Sequence, residues 1–407
     1  MKAWRVPHPK FGAGPGLERV KAVADHLKLD LPAFGENGVA IVGSNGKGST
    51  AAMTAALLGQ VSPGVGLFTS PHLLDLNERF RIGASDISDD ELVHHWRRVS
   101  EAIDACCLAD AAGGFEFLFL IAADWFAAHG CAHTVWEAGL GGRLDPIRLI
   151  EARHSALTAL DLEHTALLGA TPAAIAIEKA AAVKAGHALV ISEIVASDAQ
   201  VRAAIESWCE ANCIPLSVAV PLDDAPLAGA HQRSNAALAL WLAQSLVPLS
   251  LDQIGSGFAA TRWPGRLEVL ADDPLEVIDV GHTPEGVNAG LAGFESMRGG
   301  RPGILICGVS QDKDVSAIVH RLAPAFPNIV CTAAYHKGAT AALVAAHAQA
   351  ANSGAEITLA ECVIDARRLA LAKAQGGGAI YVAGGLFLAA EYKAAHLGRD
   401  PASLVFF

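Results

Sequence analysis

The sequence predicts an α/β fold divided into two domains, each built around a mainly parallel sheet. Short runs rich in Val and Ile, most of them ending at Gly or Asp, alternate with alanine-rich helical stretches along the whole chain. This alternation is typical of buried parallel strands connected by helices. The chain has 407 residues, of which 52% are apolar. That length exceeds one ordinary core, and that composition excludes a disordered protein.

The predicted strands share a short apolar run that ends at a loop. Examples are GVAIVG, HTVWEAG, SALTALD, ALVIS, LEVIDVG, GILICGV, NIVCTAA and AIYVAGG. The predicted helices between them cover residues 17–27, 90–105, 117–128, 172–185 and 234–246. Ligands usually lie at the carboxyl ends of the strands in open α/β sheets, so we expect functional residues just after these strands.

The predicted domain boundary lies in TRWPGRLEV, residues 261–269. A long alanine-rich helical stretch precedes it, a new set of strands follows it, and Pro264 and Gly265 mark a turn. The first predicted domain therefore covers residues 1–261 and the second covers residues 262–407.

Composition and patterning limit the partners and the location that we expect. The formal net charge is −12, whereas proteins that bind the phosphate backbone carry a basic face, so we expect no nucleic acid. No apolar run approaches the roughly 20 residues of a membrane span, so we expect no membrane. Cys209 and Cys213 have helical spacing without His or Cys companions and are interpreted as structural thiols. No CxxC pair or N-terminal signal pattern is visible, which favours the cytoplasm.

The stretch IVGSNGKGST, residues 41–50, predicts a phosphate-binding loop between a strand and a helix. Gly43, Gly46 and Gly48 allow a tight turn that presents N–H groups to an anion, and the helix start adds its positive end. Lys47 supplies a point charge for the terminal phosphates.

Other residues of this loop are predicted to contact the nucleotide or its cation. The Ser49 or Thr50 hydroxyl is suited to hold a magnesium ion, and Asn45 is placed among the nucleotide-binding residues. A glycine-rich turn with an exposed lysine is the alternative interpretation. The loop also departs from the common GxxxxGK[ST] pattern, because Gly48 separates Lys47 from the hydroxyl residues.

GSNGKGST is similar to the phosphate loop of the Mur ligase superfamily, and the Gly after Lys resembles folylpolyglutamate synthase and dihydrofolate synthase. Nine further motifs follow in the order of that family. They are FTSPHLLDLNERFRI, FEF, WEAGLGGRLD, EHTALLGATPAAIAIEKAAAVKAG, HQRSNAALAL, RWPGRLE, DVGHTPEG, GVSQDKDV and AGGLFLAAE. The resemblance covers nearly the whole chain, so the sequence is identified as a member of this family.

The resemblance implies the fold and the reaction. It implies a P-loop N-terminal domain of Mur ligase type that binds ATP and the acid, and a smaller Rossmann-like α/β C-terminal domain that binds the amino acid. The implied enzyme is an ATP-dependent ligase that joins L-glutamate to a pterin-derived carboxylate, dihydropteroate or a folate, through an acyl phosphate, releasing ADP and phosphate. The implied cofactor is Mg²⁺, with ATP as the nucleotide, and the implied state is a monomer.

The resemblance also assigns metal and catalytic residues. Ser70, Glu137 and His164 correspond to metal ligands, and Lys47, His164, Lys179 and His282 to catalytic residues. The lysine that matches Lys179 is often carbamylated in the superfamily and then binds a second Mg²⁺. The alternatives are a turn residue for Ser70, a buried structural partner for Glu137, an ordinary histidine for His164 and a surface lysine for Lys179.

The nucleotide is expected to contact both domains. The resemblance places Asn235 against the adenine, Arg266 at the phosphates and Asp279 at the ribose, and a planar guanidinium suits phosphate binding. His282 follows in the same loop and is expected near the reaction centre or the glutamate. Lys313 is a further candidate for this cleft, or part of a solvated charged turn.

Four departures from the family pattern leave a second hypothesis open. Pro146 begins PIRL where Ala-Thr-Asn is usual, Glu163 replaces an aspartate, EKAAA replaces EKAGI, and Thr283 stands where Asn is expected. A specialised paralogue that joins another acid and amino acid is therefore the alternative function. A P-loop kinase or a non-catalytic binding module is disfavoured, since both Lys47 and Glu137 are retained and the second domain carries the further motifs.

Overall fold

The computed structural model of the protein describes residues 4–9, 12–162 and 164–406. The N-terminal unit contains eight described strands: β1 Gly38–Val42, β2 Val65–Phe68, β3 Phe80–Ile82, β4 Ser85–Asp86, β5 His133–Glu137, β6 His154–Leu157, β7 Ala188–Ser192 and β8 Leu216–Ala219. Its described α-helices are α1 Leu17–Leu27, α2 Ala33–Glu36, α3 Lys47–Leu58, α4 Asp89–Ala105, α5 Gly114–Ala128, α6 Thr165–Leu168, α7 Pro172–Ala180, α8 Glu193–Ser197, α9 Ala199–Ala211, α10 Gln232–Leu246 and α11 Leu251–Ala260.

The C-terminal unit contains a second sheet and five described α-helices. Its strands are β9 Glu268–Asp272, β10 Leu275–Ile278, β11 Gly303–Cys307, β12 Asn328–Cys331, β13 Glu356–Leu359 and β14 Ala379–Ala383. Its helices are α12 Pro284–Arg298, α13 Val315–Leu322, α14 Ala341–Ala351, α15 Val363–Lys373 and α16 Leu386–His396. Short 3-10 helices lie at Leu76–Arg79, Pro146–Ile150, Ala323–Ala325 and Pro401–Ser403.

The first sheet has the order β4-β3-β2-β5-β1-β6-β7-β8. Along the run β2-β5-β1-β6-β7-β8 every neighbouring pair is parallel, whereas the β2–β3 and β3–β4 pairs at the other edge are antiparallel. In the register of this sheet Ile41 of β1 lies beside Glu137 of β5, and Phe68 of β2 lies beside Trp136. The carboxyl ends of β1, β2 and β5 are therefore neighbours, and this adjacency brings the segments of the candidate site together.

Helices cover both faces of the first sheet, as a parallel sheet requires. Helices α1, α4, α5, α7 and α9 pack in one apolar core with the sheet. Helices α3 and α10 contribute to the core on the other face, where Ile254 and Phe258 of α11 also pack. Trp136 is fully buried beside the rings of Phe34, Phe68 and Phe119. The strand that carries Glu137 is thus anchored by an aromatic cluster.

The second sheet has the order β13-β12-β11-β14-β10-β9, and only the β9–β10 pair is antiparallel. Helices α12, α13 and α14 pack on one face, and α15 and α16 pack on the other. The predicted α/β fold with a mainly parallel first sheet and a smaller second α/β unit is confirmed. No helix in the described part of the chain combines the length and the apolar character that crossing a membrane requires.

Several predicted boundaries differ from the structure. The predicted helix over residues 172–185 ends at Ala180, because the backbone turns there and Ala182 and Val183 pack into the core. Five strands do not contain an apolar run of the kind used for prediction. They are the half-exposed strand β8 and the outer strands β3, β4, β9 and β13. The predicted domain boundary between residues 261 and 262 falls between α11 and β9, and it stays a prediction.

A buried carboxylate joins α15 and α16 to the second sheet. Glu276 of β10 is 3% exposed. It accepts hydrogen bonds from Arg367 (3.1 Å) and from the Tyr392 hydroxyl (2.6 Å). The Nδ1 atom of His396 lies 3.6 Å from the same carboxylate.

We expect Glu276→Ala to lower the free energy of unfolding by about 3 kcal/mol, because it leaves the Arg367 guanidinium partly buried without its carboxylate. Thermal and urea unfolding of the full chain measure this change. Glu285→Ala is the matched control, since Glu285 is exposed and lies 3.9 Å from Arg321, and we expect a change of less than about 0.5 kcal/mol. Equal effects of the two substitutions would contradict a stabilising role for the Glu276 cluster.

Candidate active site

The loop between β1 and α3 has the geometry of a phosphate-binding loop. Gly46 is the N-cap of α3 and has a φ of +85°, which favours glycine. A Cβ atom at Gly46 would lie 2.5 Å from Oδ1 of Asn235, and one at Gly48 would lie 2.4 Å from the Trp263 ring. Glycine is therefore required at both positions by close packing, and Asn235 of α10 lies directly behind the loop.

Lys47 lies within this loop. Its Nζ atom donates to the carbonyl oxygens of Gly43 (2.9 Å) and Ser44 (3.2 Å). Burial raises the pKa of the Glu137 and Asp145 carboxyl groups, and the positive charge of Lys47 opposes both rises. The ammonium group thus lies near the carboxyl ends of β1 and β5, where a bound anion would meet it.

The hydroxyl groups at the start of α3 differ in their partners. Ser49 accepts a hydrogen bond from Gln232 at 3.4 Å. The Thr50 hydroxyl is buried and has no hydrogen-bond partner in the part of the chain that the structure describes. A buried polar atom without a partner is unusual and is satisfied when a ligand or ion binds. The loop therefore fits a phosphate group with an associated cation.

Glu137 ends β5 and is 3% exposed. One of its oxygens accepts the backbone N–H of Ser70 at 2.9 Å, so two predicted metal ligands are in direct contact. Burial raises the pKa of Glu137 to about 7, and the positive charges of Lys47, Arg266 and Arg79 oppose this rise. A carboxylate among cations at a strand end is chemically suited to hold a divalent cation.

His164 and Lys179 come from the segment after β6. His164 precedes α6 with a φ of +47°, and its side chain is exposed. Lys179 of α7 is 1% exposed, and its Nζ atom donates to the Gly43 carbonyl oxygen at 2.9 Å. Lys47 and Lys179 therefore share one acceptor at the phosphate loop. The ligand role of His164 stays a prediction, and the substituted position Glu163 lies outside the described residues.

The C-terminal unit contributes Arg266, Asp279 and His282. Burial raises the pKa of Glu137 and of Asp279, and the positive charge of Arg266 opposes both rises, so its guanidinium acts on both carboxyl groups. Asp279 is 6% exposed and accepts backbone N–H groups from Leu267 (3.1 Å) and Gly281 (2.8 Å). Asp279 thus fixes the two loops that carry Arg266 and His282. Its contact with a ribose stays a prediction.

The two units are joined by a polar contact at the site. Asn45 of the phosphate loop donates from Nδ2 to the Thr283 hydroxyl at 3.2 Å. The same hydroxyl accepts the Gly286 N–H and caps α12. Thr283, at one of the positions that depart from the family pattern, therefore connects the phosphate loop to the helix that follows His282.

Three charged residues were missed by the sequence analysis, of which Arg79 and Asp145 are buried and Glu78 is half-buried. Glu78 accepts the backbone N–H groups of three residues in the segment after Ser70, Asp145 accepts three others near Glu137, and Arg79 donates to His72. All three lie inside the motif blocks FTSPHLLDLNERFRI and WEAGLGGRLD. Asp145 lies between Leu144 and Pro146, and a charged residue between apolar ones was the available signal there. Glu78 and Arg79 are adjacent and gave no such signal, and the partners of all three are set by tertiary structure.

A model of a known protein family matches part of the chain. Residues 265–386 match the family model described as Mur ligase, glutamate ligase domain. This match begins one residue before Arg266 and covers most of the C-terminal unit.

Curated relatives match over most of the chain. A probable bifunctional folylpolyglutamate synthase/dihydropteroate synthase of Haloferax volcanii is 31% identical over 420 residues, covering 94% of this chain and 48% of the relative. This chain therefore spans about half the length of that relative. A dihydrofolate synthase/folylpolyglutamate synthase of Bacillus subtilis is 32% identical over 321 residues, covering 70% of this chain and 73% of the relative.

Solved structures match nearly the whole fold. The Mycobacterium tuberculosis folylpolyglutamate synthase complexed with ADP and AMPPCP superposes with a TM-score of 0.86 at 27% identity, covering 95% of this chain and 96% of that one. A bifunctional folylpolyglutamate synthase/dihydrofolate synthase with Mn, AMPPNP and L-glutamate bound gives a TM-score of 0.82 at 27% identity, covering 95% of both chains. This chain belongs to the folylpolyglutamate synthase/dihydrofolate synthase family of the Mur ligase superfamily.

Proposed function

We propose that this protein is an ATP-dependent ligase that joins L-glutamate to a pterin-derived carboxylate, dihydropteroate or a folate, and releases ADP and phosphate. The observation that carries the proposal is the convergence of Lys47, Glu137 and Arg266 from three segments of the two units. A simple phosphate-binding protein needs no such contribution from a second sheet. Relatives named for this activity, and a solved relative with a nucleotide and glutamate bound, support the assignment.

The proposed reaction needs cations more than it needs an acid or a base. The substrate carboxylate attacks the γ-phosphate of ATP, forms an acyl phosphate and releases ADP. The glutamate amine then attacks the acyl carbon, and phosphate leaves. Because the first step brings two anions together, Lys47 and Arg266 would hold the phosphates and stabilise the developing charge.

Ser70 and Glu137 would hold a divalent cation, which we propose to be Mg²⁺ and which would neutralise charge on the phosphates. The unpartnered Thr50 hydroxyl and the Glu137 carboxylate are oxygen donors of the kind that this ion prefers. His164 is proposed as a third ligand. His282 would lie near the glutamate, and Asn235 would contact the adenine from behind the phosphate loop.

We propose that residues 1–261 bind ATP and the acid, and that residues 262–407 bind the amino acid. The enzyme would act as a monomer in the cytoplasm, with small-molecule substrates as its partners. Because the nucleotide contacts are divided between the units, closure of the second unit over the first would complete the site.

The alternative is a specialised member of the family that joins another acid and amino acid. The observation that favours it is Thr283, whose hydroxyl is committed to Asn45 and Gly286 where the family pattern has Asn. The 3-10 helix Pro146–Ile150, directly after Asp145, is a second local departure near the site.

The first experiment follows phosphate release from ATP and Mg²⁺ with candidate acids and amino acids. We expect release that requires both dihydropteroate or a folate and glutamate. We expect Lys47→Met to lower kcat by at least about 100-fold, since it removes a charge that acts on the transferred phosphate. Lys184→Met is the matched control, because Lys184 is exposed and pairs with Glu151.

Other outcomes of this assay decide between the functions. Release with a different acid and amine pair would identify the specialised paralogue. ATP turnover that needs no amine would contradict a ligase.

We propose that Lys179 is carbamylated in the active enzyme. The Lys47 and Lys179 amines share the Gly43 carbonyl oxygen, which places the Lys179 amine at the phosphate loop, where a carbamate oxygen could reach a bound cation. We expect activity to fall at least about tenfold in CO₂-depleted buffer and to recover with bicarbonate, since the carbamate would be a ligand of a second cation. Electron density for an unmodified lysine in crystals grown with bicarbonate would contradict this proposal.

We expect Thr283→Val to lower kcat/KM about tenfold, because it removes the acceptor of two hydrogen bonds while keeping the side-chain volume. Thr283→Ser retains the hydroxyl and should stay within about twofold of the unchanged protein. Steady-state kinetics with ATP and with the amino acid varied in turn measure both variants. Wild-type kinetics for Thr283→Val would show that the contact with Asn45 does not contribute.

A further inference from the structure

The segment after β2, residues 70–79, connects the candidate metal site to the C-terminal unit. It begins at Ser70, whose N–H binds Glu137. Three residues later the Leu73 side chain, 5% exposed, lies in the core formed by α15, α16 and the second sheet. One short segment of the N-terminal unit is therefore embedded in the other unit, directly beside the predicted metal ligands.

His72 lies between this segment and residues 399–406, which follow α16. Its Nδ1 atom accepts a hydrogen bond from Nε of Arg79 at 2.9 Å, and its Nε2 atom lies 2.8 Å from the Val405 carbonyl oxygen. Because an arginine nitrogen only donates, the proton of the neutral ring is on Nε2 and is donated to Val405. The ring is 4% exposed, so both of its nitrogen atoms are occupied by defined partners inside the protein.

Residues 399–406, named here the 399–406 segment, are held against both units. Arg399 binds Asp75 through two hydrogen bonds of 2.8 Å. Leu404 is buried in the same core as Leu73. The Phe406 ring stacks on His72 with centroids 5.5 Å apart and an interplanar angle of 12°. Phe406 also packs against Phe387 and His336 at 4.9 Å.

Arg79 connects His72 to the backbone that binds Glu137, because its carbonyl oxygen accepts the Thr69 N–H at 3.1 Å and the next residue, Ser70, donates its N–H to Glu137. The Arg79 side chain is 3% exposed. Burial lowers the pKa of Arg79 to about 9, while the Glu137 and Glu78 carboxylates favour its charged form. At neutral pH the guanidinium therefore remains a cation beside Glu137. Its orientation is set in part by the hydrogen bond to His72, because a planar guanidinium donates in fixed directions.

We propose that the 399–406 segment is a clamp that fixes residues 70–79 against the C-terminal unit, and that His72 is a positioning residue that orients Arg79 and thereby Glu137. None of these clamp residues belongs to the phosphate loop. The clamp would couple the position of the C-terminal unit to the geometry of the proposed cation site. The kinetic part of this proposal rests on the proposed ligase function, whereas its structural part does not.

The test uses the full chain with His72→Phe, His72→Gln and Phe406→Ala. His72→Phe keeps an aromatic ring against Phe406 and removes both hydrogen bonds, whereas His72→Gln retains an acceptor and a donor. Ser403→Ala is the matched control, because Ser403 is exposed in the same segment and its hydroxyl donates to the nearby Asp400 carbonyl oxygen. Amide hydrogen exchange of residues 70–79, Mn²⁺ binding in the presence of a nonhydrolysable ATP analogue, and kcat and KM for ATP are measured for each variant.

We expect His72→Phe and Phe406→Ala to lower kcat and Mn²⁺ affinity about tenfold, in the range typical of residues that orient metal ligands. The KM for ATP should stay within about twofold, since the phosphate loop is unchanged. Exchange of the Ser70, Leu73 and Leu74 amides should become faster, and His72→Gln should recover part of the kcat and Mn²⁺ affinity lost in His72→Phe.

Two results would overturn the clamp. One is that His72→Phe and Phe406→Ala behave like Ser403→Ala in exchange and Mn²⁺ affinity. The other is that His72→Phe, which keeps the ring against Phe406, behaves like Ser403→Ala while Phe406→Ala is impaired, which would assign His72 to packing alone. If the unchanged protein shows no ligase activity, that result contradicts the proposed function alone. The hydrogen-exchange and Mn²⁺-binding measurements then still test the clamp.

Discussion

The arrangement of the site depends on one buried carboxylate, Glu137, at the carboxyl end of β5. An isolated carboxylate inside a protein is strongly disfavoured, and burial accordingly raises its pKa to about 7. The charges of Lys47, Arg266 and Arg79 oppose that rise. These cations come from the phosphate loop, from the C-terminal unit and from the segment after β2, so the site is complete only when all three are packed together. The same set of charges is suited to a triphosphate and its cation.

Three other carboxylates also organise the loops around the site. Glu78, Asp145 and Asp279 each accept two or three backbone N–H groups from neighbouring turns. Charge-assisted hydrogen bonds of this kind are stronger than neutral ones and hold irregular backbone where no helix or strand can satisfy it. Asp279 is the clearest case, because its two bonds fix the loops of Arg266 and His282. The catalytic candidates are thus held by residues that need not touch a substrate.

The contact between the two units is part of the site. Asn45 meets Thr283 across the junction, Leu73 enters the core of the C-terminal unit, and Arg399 binds Asp75. Polar and apolar contacts therefore both join the two units. Family membership agrees with this arrangement, since the solved relatives superpose over both units at once and not over a single one.

The sequence by itself determined the α/β class, the strand–loop–helix of the phosphate loop and the family. These depend on local patterns, namely apolar runs, glycine spacing and the order of motifs, which can be read along the chain. The candidates Lys47, Ser70, Glu137 and Arg266 were also found this way, because their motifs are contiguous. Only the tertiary structure decided that α7 ends at Ala180, that β3, β4 and β9 pair antiparallel, and that His72 contacts both Arg79 and the 399–406 segment. His72 and Val405 are 333 positions apart, and a contact at that separation is set by how the two units pack, which no local pattern records.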